Sequence, residues 1–275
     1  MEILGELLNV LDADMKTPVP YGTFHLTFFV TSILAVFGLL GRAGNPDVTC
    51  IRRLLLVSSL TVIALEVYKQ INFTFYYDGN TITADYQWYA FPFQFCSTPM
   101  YVGLAAALTK NKRLYERLCA YLATYGLFAG VCVMVYPVSV FMDTIGINIQ
   151  TMVCHGAMVT IGLYLLASGA VKLDLTTLKK ALPVFCVLVT MAVVLNELAY
   201  RVGISGFNMF FLSPYCKPEL PVFSMIQPHV PFAADVLIYV LAFTAGSSAL
   251  LIAAQYIRFL HRYAIGRKRI AHRFA

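Results

Sequence analysis

A cysteine and a histidine are the candidate reactive pair of this chain. Cys96 and His155 each lie about five residues inside an apolar segment, which at 1.5 Å per helical residue predicts a similar depth for both. An imidazole within hydrogen-bond reach can take the proton of a thiol and leave a nucleophilic thiolate. The pattern indicates covalent catalysis, and it competes with the more common role of a membrane cysteine as a small packing residue.

Five further polar side chains fall at the same level, in the outer third of their apolar segments: Glu66, Lys69, Gln94, Asn196 and Glu197. Ionisable groups are costly in hydrocarbon, so they usually face a partner or a wet cavity. A shared depth in several segments predicts one outward-opening polar pocket. Amide donors such as Gln94 or Asn196 are candidates to stabilise an oxyanion in that pocket.

Each charged residue of this set has two possible roles. Glu66 and Lys69 are three residues apart and can pair, either to fix helix packing or to present Lys69 to a lipid phosphate or carboxylate. Glu197 can orient His155 as a third member of the site. It can equally pair with Arg201, four residues further along.

The composition indicates a membrane protein. The 275 residues are 59% hydrophobic and 12% charged, which excludes the disordered class and is too apolar for a soluble domain. The net charge of +6 does not indicate nucleic-acid binding, because the basic residues fall mainly in short connections and at the C-terminus. The seven cysteines form neither a CxxC pair nor a metal-ligand spacing, so no metal and no cofactor is expected.

Seven apolar segments can cross a bilayer as helices, and the sequence therefore predicts an all-α integral membrane protein. Their expected bounds are 22–40, 54–71, 91–109, 118–137, 150–171, 181–202 and 235–258. Lys and Arg concentrate in alternate connections, at 41–53, 110–117, 172–180 and the C-terminal stretch. This distribution places the N-terminus outside and the C-terminus in the cytoplasm.

The same pattern predicts three parts of the chain. Residues 1–20 are expected to form an amphipathic segment on the membrane surface, and residues 21–260 the seven-helix domain. Within that domain the proline-rich, aromatic outer segment 203–234 is typical of a re-entrant or lid element. Residues 261–275 are expected to be a basic cytoplasmic tail attracted to anionic headgroups.

A family resemblance rests on one motif and on the order of several others. The run Phe91-Pro92-Phe93-Gln94-Phe95-Cys96 resembles the Leu-Pro-Leu-(His/Gln)-x-Cys signature of the YwaF/TMEM164 family of polytopic membrane proteins. Other features follow in the family's order: Glu66 and Lys69, His155, Asn208-Met209-Phe210, and Lys217-Pro218. Phe replaces the usual Leu at 91 and 93, and Gln-Pro-His-Val-Pro-Phe at 227–232 departs from the aromatic-rich segment expected there.

The resemblance implies an activity. Eukaryotic members are regarded as membrane acyltransferases that remodel phospholipids, and their nucleophile and its partner map onto Cys96 and His155. Phospholipid, lysophospholipid and the bilayer are then the expected partners, in a plasma membrane of bacterial type. Asn208 and Lys217 join the supporting residues on the same ground.

Two other functions compete with the acyltransferase hypothesis. A transporter or solute-binding protein would use the polar pocket of Glu66, Lys69 and Glu197 to hold a small solute. A structural subunit of a larger membrane complex would use the same polar cluster as an interface.

Overall fold

A computed structural model describes residues 2–42, 46–220 and 222–271, with side chains as far as residue 260. The polypeptide is mainly helical. The helices are α1 (Glu2–Leu11), α2 (Thr23–Arg42), α3 (Val48–Asn72), α4 (Thr98–Leu108), α5 (Lys112–Tyr121), α6 (Leu127–Val135), α7 (Ile145–Ala167), α8 (Thr176–Arg201), α9 (Phe223–Ile226) and α10 (Phe232–Ala271). Residues Leu122–Gly126 form a π-helical turn that joins α5 and α6 into one continuous element.

Six of these elements are long and apolar enough to cross a membrane: α2, α3, α5–α6, α7, α8 and α10. They confirm an all-α membrane protein with several spans and correspond to six of the seven expected segments. Most residues of α5–α6 and α7 are buried inside the protein, whereas α2 and α10 are mostly uncovered by it. The centre of the bundle is therefore α5–α6 packed against α7.

The expected third span, 91–109, differs from a regular helix. Its helical part, α4, has 11 residues, and the residues before it form turns. Pro92 removes a backbone donor and disfavours helical geometry at Phe91, whereas Pro99 sits in the first turn of α4, where proline is tolerated. The helix therefore starts about seven residues later than apolarity alone predicts.

The connection between α3 and α4 contains a hairpin that the sequence analysis did not predict. Strands β1 (Phe75–Tyr77) and β2 (Ile82–Ala84) pair antiparallel. The Asp78 carboxylate accepts the backbone N–H groups of Asn80 and Thr81, both at 2.8 Å, and Gly79 adopts a positive φ. An Asp-Gly pair between β-prone residues is the available signal for this turn.

The N-terminal helix packs on this hairpin. Gly5 of α1 lies against the ring of Tyr77, since a Cβ at this position would come within 2.5 Å of that ring. The Tyr68 hydroxyl donates to the Leu11 carbonyl at 2.7 Å and ties the end of α1 to α3. Ile3 and Val10 of α1 remain exposed.

At the other terminus, α10 continues to Ala271, so most of the expected tail 261–275 is helical. His272 and the other residues of 272–275 lie outside the described residues.

Two glycines bring the central helices into close contact. A Cβ at Gly130 of α6 would lie 2.8 Å from Cβ of Met158, and one at Gly162 of α7 would lie 2.6 Å from Cβ of Leu127. Small residues at such crossings let helix backbones approach in a membrane, where packing rather than hydrophobicity holds helices together. This close packing fixes α7 against the π turn and α6.

Candidate functional site around Cys96

Cys96 lies in the turn before α4 rather than inside a helix, which corrects the expected position. The Gln94 carbonyl accepts the N–H groups of Ser97 and Thr98, at 2.9 and 3.2 Å, so the chain turns tightly around the cysteine. The Thr98 hydroxyl donates to the Phe95 carbonyl at 2.9 Å. The irregular first turn expected from Pro92 extends through Cys96, and the thiol is half-buried at the point where the helix begins.

A small cavity adjoins this thiol. It has a volume of about 20 Å³, enough for one water molecule. Residues of α3, the α4 region, the π turn and α7 line it: Ser58, Ser59, Val62, Cys96, Pro99, Met100, Leu122, Gly126, Cys154, Ala157, Met158 and Ile161. This thiol cavity is a narrow, mostly apolar space between membrane helices.

The π turn forms one wall of the thiol cavity through Leu122 and Gly126. Directly before it, the hydroxyl of buried Tyr121 is hydrogen-bonded to that of Thr98 at 2.9 Å. This bond ties the π turn to the first residue of α4. Single π turns inside α-helices occur frequently at functional sites, and this one lies opposite Cys96.

His155 is buried in α7, ten residues from the helix start at Ile145 rather than five. Its Nδ1 lies 2.7 Å from the Thr151 carbonyl oxygen. A carbonyl only accepts, so Nδ1 carries the proton and Nε2 of the neutral ring keeps its lone pair. The ring is thus held in the tautomer that a general base acting through Nε2 requires.

The structure does not join Cys96 to His155 directly. Among the described residues, no hydrogen bond links the thiol to the imidazole, and the side chain that α7 directs into the thiol cavity at this level is Cys154. Neighbouring residues of a helix point about 100° apart, so α7 cannot direct residues 154 and 155 at the same point.

Cys154 and Gln150 are site residues that the sequence analysis missed. The Gln150 amide donates to the Cys154 sulfur at 3.5 Å and to Glu66 Oε2 at 3.4 Å. The available signal was their spacing of four residues on α7, which places both side chains on one helix face. Gln150 connects the thiol cavity to the charged pair of α3.

Glu66 and Lys69 pair as their spacing predicts, with Lys69 Nζ 2.8 Å from Glu66 Oε1. Gln70 donates to the same oxygen at 2.8 Å and to the Ala90 carbonyl at 2.9 Å. Tyr86 in turn donates to Gln70 Oε1 at 2.6 Å. Both oxygens of the buried Glu66 carboxylate therefore have partners within the protein.

Gln94, Asn196 and Asn208 meet at a different place, beneath the outer segment 203–234. Gln94 Nε2 donates to the carbonyls of Tyr89 and Asn208, at 3.2 and 3.1 Å, while its buried Oε1 has no hydrogen-bond partner among the described residues. Asn208 Oδ1 accepts the Ser213 N–H at 2.9 Å. These side-chain amides are hydrogen-bonded to backbone groups. The Gln94 amide that was expected to donate to an oxyanion therefore already has acceptors within the protein.

Asn196 holds the same segment through both ends of its amide. Nδ2 donates to the Met209 carbonyl at 3.0 Å, and Oδ1 accepts the Met209 N–H at 2.7 Å. The next residue, Phe210, is fully buried at φ 58°, a conformation that non-glycine residues rarely adopt. Its ring packs on those of Phe93 and Phe95, at 5.9 and 5.1 Å between centroids. The outer segment thus packs against the turn that carries Cys96.

Glu197 and Lys217 lie away from the thiol cavity. The Glu197 carboxylate accepts from Arg201 Nε at 2.7 Å and from the Tyr215 hydroxyl at 2.6 Å, so it pairs with Arg201 instead of orienting His155. The same hydrogen bond to Glu197 raises the pKa of Tyr215 in the outer segment. Lys217 is exposed in that segment.

A metal site is not formed by the part of the chain that the structure describes: no three His, Cys, Asp or Glu side chains come close enough to hold an ion.

The chain matches a known family of membrane proteins. The model of the TMEM164 family matches residues 20–246, which include the turn of Cys96, the thiol cavity and the outer segment. Neither a curated protein nor a solved structure matches the chain. The match covers most of the sequence and confirms the resemblance based on the Cys96 motif. This chain belongs to the TMEM164 family of membrane proteins.

Proposed function

We propose that this protein is a lipid acyltransferase or transacylase that moves acyl chains between membrane lipids through a thioester on Cys96. The observation that carries this proposal is the placement of Cys96 at a helix break, beside a water-sized cavity lined by a π turn. The cavity beside this thiol has room for one water molecule. The role that the family resemblance assigns to this cysteine supports the same reading.

The first half-reaction forms the thioester. Cys96 Sγ loses its proton to His155 Nε2 and attacks the carbonyl carbon of a phospholipid ester. The tetrahedral intermediate then breaks the bond between that carbon and the ester oxygen. The leaving lysophospholipid oxygen takes the proton back from His155, and the acyl group remains on Cys96.

The second half-reaction reverses these steps with a new acceptor. The hydroxyl of a lysophospholipid or another alcohol gives its proton to His155 and attacks the thioester carbon. The carbon–sulfur bond breaks, the proton moves to the thiolate, and Cys96 is regenerated. No cofactor enters this balance.

The geometry around His155 supports its role as the base in one respect and sets a requirement in another. The hydrogen bond from Nδ1 to the Thr151 carbonyl leaves Nε2 as the acceptor. Proton transfer also needs direct contact with the thiol or one bridging water. His155 does not line the thiol cavity, so this transfer requires a movement of α7 or of the turn that carries Cys96, together with a bridging water.

The solute-binding alternative has weaker support. It needs Glu66, Lys69 and Glu197 to converge with unsatisfied polar atoms, but both oxygens of Glu66 are already engaged by Lys69, Gln70 and Gln150. Glu197 is bound to Arg201 and Tyr215 elsewhere.

For the membrane topology we propose seven crossings, with the N-terminus outside and the C-terminus in the cytoplasm of a plasma membrane. The turn before α4 and α4 itself together would make the third crossing. Gln70 of α3 donates to Ala90 at one end, and Arg52 of α3 donates to the Ala106 and Ala107 carbonyls at the other. Positions 52 and 70 are about 27 Å apart along α3, close to the hydrocarbon thickness of about 30 Å.

The experiment is mass spectrometry of the purified protein after incubation with phospholipid carrying a labelled acyl chain. We expect a hydroxylamine-labile acyl group on Cys96 that is lost in Cys96→Ser and strongly reduced in His155→Ala. Cys154→Ala is the matched control, because it removes the other thiol of the same cavity. A protein with reduced Cys96 that stays unmodified across phospholipid headgroups would contradict the proposal.

A further inference from the structure

A larger groove lies on the other side of Met100 from the thiol cavity. It has a volume of about 440 Å³, within the range of about 300–1,000 Å³ typical of small-molecule sites. Residues of α3, α4 and the adjoining loops line it: Ile63, Glu66, Val67, Gln70, Ile71, Thr74, Phe75, Pro92, Met100, Tyr101 and Leu104. Most of this surface is apolar.

We propose that this groove holds one acyl chain of a membrane lipid, and we call it the acyl groove. The inference rests on the proposed function, because it adds the place where the transferred chain lies. Three observations carry it: where the groove opens, what its polar atoms already bind, and its shared wall with the thiol cavity.

The groove opens between two neighbouring membrane helices. Val67 of α3 and Tyr101 of α4 are exposed at its mouth, and Phe75 is exposed at its outer end. From Ile63 to Ile71 the groove follows α3 for about 12 Å. At this place in a membrane helix pair, the molecules available in the surroundings are lipid hydrocarbon chains.

The polar atoms inside the groove are already bound. Glu66 is engaged by Lys69, Gln70 and Gln150, and the Gln70 amide by Glu66, Ala90 and Tyr86. The Tyr101 hydroxyl donates to the Pro92 carbonyl at 2.9 Å. A charged or strongly polar ligand would find its partners taken, whereas a hydrocarbon chain needs none.

Met100 connects the groove to the chemistry. Its buried side chain lines both the acyl groove and the thiol cavity that contains Cys96. Methionine is unbranched and has three rotatable bonds, so it can change rotamer without moving the backbone. A rotation of Met100 would open a passage by which the ester end of a bound chain approaches the thiol.

The test is photocrosslinking in vesicles of phosphatidylethanolamine and phosphatidylglycerol. The probe is a phosphatidylethanolamine with a diazirine in its acyl chain, and the protein carries Cys96→Ser so that binding is read without transfer. We expect cross-linked peptides from α3 and α4 that contain Ile63, Val67 or Leu104.

A matched pair of variants tests occupancy of the groove. Val67→Trp fills the groove, and Val194→Trp places the same ring on α8, where the valine is similarly exposed, at 50% against 54%. We expect Val67→Trp to reduce groove labelling roughly tenfold, equivalent to about 1.4 kcal/mol, and Val194→Trp to leave it unchanged.

The outcomes separate this inference from the proposed function. Labelling spread evenly over the lipid-facing helices, or equal labelling in the two tryptophan variants, would overturn the acyl groove even if Cys96 is acylated in the unmodified protein. Groove labelling without any acyl adduct on Cys96 would retain the binding site and reject the acyltransferase.

Discussion

Two ion pairs of the same chemical type occupy opposite environments in this protein. Glu66 and Lys69 leave only 5% and 13% of their side chains exposed, whereas Glu197 and Arg201 leave 38% and 72%. Both pairs join a carboxylate to a cationic side chain three or four residues away on the same helix. The first is connected through Gln150 to the thiol cavity, and the second holds the Tyr215 hydroxyl at the surface of the outer segment.

The difference shows that spacing along a helix predicts which residues pair, but not whether the pair is buried or which other groups it contacts. A buried pair must have its remaining hydrogen-bonding atoms satisfied, and here Gln70 and Gln150 do this for Glu66. An exposed pair is screened by its surroundings and contributes little to stability. We therefore expect the α3–α4–α7 region to control activity and folding, and the end of α8 to tolerate change.

The largest expected effect is on activity. Cys96→Ala should reduce transfer of a labelled acyl chain between phospholipid and lysophospholipid to background, because the nucleophile is lost. Glu197→Gln should retain transfer close to that of the unmodified protein. Equal loss in both variants, measured in the same vesicles, would remove the contrast between the two regions.

The second expected effect is on stability. Lys69→Met should lower the free energy of unfolding by about 3–5 kcal/mol, because the Glu66 carboxylate stays buried without its cation. Arg201→Met should leave the unfolding transition unchanged. Thermal unfolding in detergent micelles measures both. A double variant, Lys69→Met with Glu66→Gln, should recover part of the loss, since no charge is then left unpaired.

A smaller effect is expected where Asn196 holds the outer segment. Asn196→Ala leaves the Met209 N–H and carbonyl without partners and should cost about 2 kcal/mol. Limited proteolysis should then cut the outer segment faster, with Val194→Ala at an exposed position of the same helix as the control. If proteolysis is unchanged, the packing of Phe210 alone is sufficient to hold the segment.

The smallest effect concerns the hairpin between α3 and α4. Hydrogen bonds from the backbone of Thr81 and then Asn80 hold the pKa of Asp78 below its usual value of 3.8. The stabilisation is therefore present above pH 3.8 and is lost as the pH falls through the lowered pKa. Hydrogen-exchange protection of the Thr81 amide should decrease only in that acidic range, and Asp78→Ala should lack protection at neutral pH.

Most of the helical plan could be predicted from the sequence. Six of the seven apolar segments correspond to helices long enough to cross a membrane, because backbone groups in lipid must be satisfied within the segment. The pairing of Glu66 with Lys69 and of Glu197 with Arg201 followed from helix geometry in the same way. The family could also be recognised, from the residues around Cys96.

The site was less predictable, since several of its features depend on contacts between distant segments. Depth along the membrane grouped Glu197 and Asn196 with Cys96, but depth gives no direction around a helix axis. In the structure, Gln150 and Cys154 instead face α3. The side-chain amides of Gln94 and Asn196 are hydrogen-bonded to backbone groups of the outer segment. The spacing of apolar residues along α7 could not predict which face of the helix makes these contacts, because both of its faces are buried.

The sequence by itself determined the membrane class, the helices and the reactive residue types, because these follow from hydrocarbon thickness and local hydrogen bonding. Only the tertiary structure decided which residues surround Cys96. The proline-broken start of α4, the π turn and the glycine contacts of α6 with α7 set the rotation and spacing of the helices. Those quantities arise from packing between segments far apart in the chain, which no local pattern records.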